Sequence, residues 1–139
     1  MLQRIQTIWL LLASICAFLT IKLSFYSGNK FVDGQKTFVQ LSGVNSPLYL
    51  LILSVAAGLG ALIAIFLYKD RKVQMRITWI TLIVSILNIF LYFAETKKFE
   101  EGNFDLTGVL AFAVPVFLFL AIRGIYHDQK LVRSLDRLR

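Results

Sequence analysis

Five polar side chains in an otherwise apolar stretch, Thr78, Thr81, Ser85, Asn88 and Tyr92, recur at alternating spacings of three and four. That spacing puts them on one stripe of a helix. Hydroxyls and a carboxamide in line can serve as the wall of a solute path, or they can hydrogen-bond across a helix pair where no water is available. For Asn88, the most polar of them, the simpler role is an interhelical hydrogen bond of roughly 1 kcal/mol. A second constellation is cationic: Arg71, Lys72 and Arg76 in one short connector, and Arg133, Arg137 and Arg139 near the end of the chain. Such a cluster suits anionic lipid headgroups or an acidic partner surface.

Other reactive groups are sparse. Cys16 is the one cysteine, so dithiol–disulfide chemistry lacks its pair. His127 is the one histidine, and a bis-histidine haem or an intramembrane zinc site lacks ligands. No Asp or Glu falls inside an apolar segment; small four-helix proton-coupled exporters depend on such a buried carboxylate, so that chemistry is not expected. Intramembrane proteolysis would need a Ser–His or Asp–Asp pair at membrane depth. Arg123, His127 and Asp128 could meet lipid headgroups, but their spacing supplies no positioned nucleophile or base. The expectation is a non-enzymatic protein with no cofactor and no metal.

These residues are held by four apolar segments, about 5–26, 47–68, 77–94 and 106–125, each near the ~20 residues that a helix needs to cross ~30 Å of hydrocarbon. The chain has 139 residues, 58% of them hydrophobic, and a mean hydropathy of +0.71. Spans and connectors use nearly all of it, so 1–139 reads as a single transmembrane domain. The predicted fold is all-α, an antiparallel up-down-up-down bundle of four transmembrane helices. The net charge of +7 then belongs to membrane topology and not to nucleic acid, for which no recognition module is present.

The cations sort by side. Placing both termini in the cytoplasm groups Arg4, Lys69, Arg71, Lys72, Arg76, Arg123, Lys130, Arg133, Arg137 and Arg139 inside, against Lys22, Lys30, Lys36, Lys97 and Lys98 outside. An excess of Lys and Arg marks the cytoplasmic side, so both ends are expected there. The first span reads as an uncleaved anchor: its apolar run exceeds a signal-peptide core, no small-residue cleavage site follows, and Ile15 is too bulky to precede a lipidated Cys16.

The outer loop 27–46 carries Asp33-Gly34 between apolar-rich flanks, a two-residue hairpin signal. Either a small ribbon or an irregular surface loop satisfies it. Asn45-Ser46-Pro47 reads as a helix start with a capping side chain before proline. Gly102-Asn103 marks a turn in the second outer connector. Small or weakly polar residues recur along every span: Gln6, Trp9, Ala13, Cys16 and Thr20; Ser54, Ala57, Ala61, Ala64 and Tyr68; Gly108, Ala111 and Pro115. They predict the seams of closely packed helices. In the tail 126–139, Leu131, Leu135 and Leu138 recur at helical spacing among basic residues, which predicts a short amphipathic C-terminal helix lying on the inner leaflet.

The opening stretch 1–10, the connector Arg71-Lys72-Val73-Gln74-Met75-Arg76 and the closing stretch 128–139 resemble an uncharacterised family of small four-helix inner-membrane proteins of Bacteroidota, a domain of unknown function. The resemblance implies topology and a bacterial inner-membrane location, and it transfers no activity. The expected function is an accessory or scaffolding subunit of an envelope membrane assembly, with anionic lipids and a membrane-protein partner or a second copy as its contacts. A small transporter or channel using the span 3 stripe is the alternative, and a headgroup-acting enzyme is the third reading.

Overall fold

The computed structural model describes residues 3–136. Arg137 and Arg139, and with them the end of the expected amphipathic tail, lie outside the described residues. Four long helices run α1 Gln3–Lys22, α2 Leu48–Phe66, α3 Arg71–Thr96 and α4 Val109–Asp136, the last preceded by a single 3-10 turn at Leu106–Gly108. All four are long and apolar enough to cross a membrane. α1 packs on α2 and α4, and α3 closes the ring by packing on the same two helices.

Small side chains are frequent inside the bundle, and many large apolar ones stand on its surface. Ala13, Ala57, Ala61, Ala64 and Ala121 are buried, while Ile52, Phe66, Ile80, Ile83, Phe90 and Phe119 stand more than half exposed on the outside. Lipid tails are as apolar as leucine, so large side chains gain nothing by turning inward. Small ones inside let backbones approach. Gly60 shows how closely: a Cβ there would lie 2.4 Å from the Thr81 hydroxyl of α3.

The bundle is not all-α. A three-stranded antiparallel sheet, order β2-β1-β3, covers one end: β1 Tyr26–Val32, β2 Gln35–Leu41 and β3 Glu101–Phe104. β1 and β2 form the hairpin that the Asp-Gly signal allowed, with Val32 paired to Gln35 and both turn residues at positive φ, 51° for Asp33 and 80° for Gly34. An isolated hairpin is marginal in water, and β3 supplies the missing support. The Gly102-Asn103 pair expected to turn is instead extended, with Gly102 opposite Gly28 and Asn103 opposite Ser27. Two glycines face each other because the strands leave no room: a Cβ on Gly28 would sit 2.3 Å from the Glu101 carbonyl oxygen.

Other boundaries shift for local reasons. The first helix ends at Lys22 and not at Tyr26, because Phe25 donates its N–H to the Leu41 carbonyl (2.7 Å) and Tyr26 enters β1. α3 starts at Arg71, six residues before the apolar segment does. Pro47 occupies the N-cap of α2 without a side-chain cap; the Ser46 hydroxyl, expected to cap, donates back to the Ser42 carbonyl. No separate tail helix exists among the described residues. α4 runs unbroken through Pro115 to Asp136, about 42 Å in all.

Phe25 fastens sheet to bundle. It is buried at 3% exposure, stacks on Tyr92 at 4.8 Å, and meets Phe93, Phe104 and Phe112 at 5.8–6.0 Å. Replacing Gly28 with valine should therefore open the β1–β3 pairing at a cost of about 1–3 kcal/mol. Hydrogen–deuterium exchange should then accelerate at the amides of 101–104 and leave the helices unchanged; protection retained in β3 would contradict the observed register.

Candidate functional site

The α2–α3 connector and the C-terminal part of α4 come together at the end of the bundle opposite the sheet. Between them lies an open groove of about 810 Å³, lined by Lys69, Arg71, Lys72, Arg76 and Arg133 with Asp70, Gln129 and two valines. Four of the expected contact residues, Arg71, Lys72, Arg76 and Arg133, thus meet in one place although 57 residues separate Arg76 from Arg133. Asp70 is the one acid in the lining, so the groove is strongly positive. The first turn of α3 adds to this, since its N-cap Asp70 makes no side-chain cap bond and the leading N–H groups of a helix carry partial positive charge.

The groove is braced rather than loose. Arg71 Nη1 donates to the Asp128 carbonyl oxygen at 3.3 Å, and Gln129 Nε2 donates to the Arg71 carbonyl oxygen at 3.2 Å. Behind it, Gln74 Nε2 reaches the Ala64 carbonyl in the last turn of α2 at 2.9 Å, satisfying an acceptor that the helix end leaves open. On the far side, Gln6 of α1 donates one amide hydrogen to the Gly124 carbonyl (3.1 Å) and the other to the Asp128 carboxylate. A belt of glutamine and aspartate side chains thereby ties all four helices together at this end. The carboxylate of Asp128 is buried at 6% exposure. Its side chain faces inward to Gln6.

Thr78, Thr81, Ser85, Asn88 and Tyr92 are all buried, at 0–7% exposure. The hydroxyls of Thr78, Thr81 and Ser85 turn back on carbonyls of their own helix, those of Gln74, Ile77 and Leu82, at 2.8 Å. Asn88 Nδ2 crosses to Ser54 Oγ of α2 at 3.0 Å, and its Oδ1 is buried without a partner among the described residues. The Tyr92 hydroxyl faces Ser46 and Ser54 without closing a well-formed hydrogen bond. Elsewhere Ser14 of α1 donates to the Gly58 carbonyl of α2 at 3.2 Å.

The sheet end carries a different charge motif. Glu95, at 4% exposure, accepts from the Tyr49 hydroxyl and from Lys98 Nζ at 2.6 Å. That bond holds the Lys98 ammonium above the usual lysine range, since a hydrogen-bonded carboxylate favours the charged form. A surface pair, Lys36–Glu100 at 3.8 Å, joins β2 to the second connector.

Gln74 and Gln129 were not legible as site residues, and Asp128 was named only as a possible headgroup contact. Their only sequence signal is that amide and acid side chains stand at the ends of apolar segments, where most are solvated. Replacing Gln6 with leucine should strip a donor from a buried carboxylate and cost about 1–3 kcal/mol. A Gln6→Glu variant should lose more, because it faces one carboxylate with another. Thermal loss of helical circular dichroism in detergent measures both; a Q6L protein as stable as the parent would show that solvent satisfies Asp128.

The family model described as a domain of unknown function (DUF4293) matches residues 2–138, and the chain belongs to that family. No curated protein and no solved structure gives a significant match.

Proposed function

We propose that this member of the family is a non-enzymatic multi-pass protein of a bacterial inner membrane, acting as an accessory or scaffolding subunit of an envelope assembly. In this reading both termini face the cytoplasm and the taxonomic setting is Bacteroidota, the orientation following from the cation excess at the groove end. The observation that carries the proposal is the groove itself. Cations from two distant segments converge on an opening braced by hydrogen bonds from α3 and α4, and one acid, Asp70, lies among them. An acidic segment of a membrane-protein partner is the counterpart such a surface fits. Arg137 and Arg139 extend the same charge in sequence.

The seam supports a packing role over a solute path. Three of its hydroxyls are satisfied on their own helix, and its carboxamide crosses to α2, where it acts as interhelical glue.

Charge reversal on the exposed groove tests the proposal. In gently solubilised native membranes, the chain should migrate in a species well above its own 15.8 kDa. An Arg76→Glu, Arg133→Glu double variant should release it as the free bundle with its helix content intact. A parent chain that runs alone, or a variant that stays in the large species, would count against a scaffold held through the groove.

A further inference from the structure

A second recess, of about 550 Å³, opens on the α1 side of α4 and is lined by Trp9, Leu120, Arg123, Tyr126, His127 and Lys130 around Gly124. Leu120, Arg123, His127 and Lys130 follow one another at spacings of three and four, so they form one stripe of the helix, about 15 Å from end to end. The stripe is graded. Its inner part is apolar, where Trp9 stacks on Phe117 at 5.8 Å, and its outer part is cationic. No carboxylate lines it, because Asp128, the acid nearest in sequence, is turned inward onto Gln6. Neither Arg123 nor Lys130 joins an ion pair among the described residues.

We propose that this recess holds one anionic phospholipid, with its phosphate shared by Arg123 and Lys130 and the start of its acyl chains against Leu120 and Trp9. The two cations stand about 10 Å apart along the helix axis, a gap that their long side chains close around a phosphate. A soluble anion would use the cations and leave the apolar half of the recess unfilled. A zwitterionic lipid would bring its own ammonium against Arg123 and Lys130. Tyr126, beside the cations, suits the level of the headgroups, where amphipathic rings settle. The groove on the α3 side lacks this grading, being charged and polar apart from Val73 and Val132. The inference rests on the four helices lying in a bilayer and is independent of any partner in the groove.

Native mass spectrometry of the full chain in detergent, titrated separately with phosphatidylglycerol, phosphatidylethanolamine and glycerol phosphate, tests it. One phosphatidylglycerol should stay bound per chain, in preference to the other two. Arg123→Gln with Lys130→Gln should weaken that binding on the order of tenfold. Trp9→Leu should weaken it too, whereas Arg76→Gln with Arg133→Gln should leave it unchanged. Both cations in the recess are exposed, so their replacement leaves the packed interior alone. Equal retention of phosphatidylethanolamine, equal binding of glycerol phosphate, or a loss that follows the groove variants instead would each overturn the proposal.

Discussion

Four helices long and apolar enough to cross a membrane share one constraint: inside hydrocarbon a polar group left without a partner in the protein is costly, because no water stands ready to replace one. The rest of this structure depends on that constraint. Helices satisfy the backbone, and side-chain hydrogen bonds cross from helix to helix, among them Asn88 to Ser54, Ser14 to the Gly58 carbonyl, Gln74 to the Ala64 carbonyl, and Gln6 to α4. The same solvent removes any reason to hide large apolar side chains. Alanines are therefore frequent in the interior, beside a few large side chains such as Leu10, Leu118 and Ile125, while many isoleucines and phenylalanines face outward.

The two ends of the bundle solve the problem of helix termini differently. At the sheet end the chain pairs its backbone: β1 lies between β2 and β3, and Phe25 seats the strands on Tyr92 and the neighbouring phenylalanines. At the opposite end, side-chain amides make the closure, and the carboxylate of Asp128 is consumed inside it. The consequence is electrostatic. With that acid turned inward, the cations of α3 and α4 face outward with little to neutralise them, one set in the groove and another in the recess beside Trp9.

How much of this was legible varied with the range of the signal. The four helices followed from apolar runs alone, and the Asp33-Gly34 turn was readable because positive φ at two adjacent positions restricts which residues fit. β3 was not. Its four residues, Glu101 to Phe104, are polar and glycine-containing, and they look like a turn until β1 is beside them. The extra turns of α3 before Ile77 and of α4 beyond Ile125 were equally hidden. Their charged residues mark the end of an apolar segment but not the end of a helix, which continued because the two helices brace each other through Arg71 and Gln129. Among the site residues, Arg71, Lys72, Arg76 and Arg133 could be named from charge, whereas Gln74 and Gln129, which fix their surroundings, could not.

Composition and periodicity by themselves determined that four helices would be apolar enough to span a membrane, which stripe of each would be small and polar, and where positive charge would gather. These are local properties: each depends on a residue and its neighbours within a turn or two. Only the tertiary structure decided that Gln6 would meet Asp128, that Gly102 would lie against Gly28, and that distant cations would share a groove. The physical reason is that a hydrogen bond or a pairing between residues a hundred positions apart leaves no periodic trace in either segment, and exists only once packing has brought the two together.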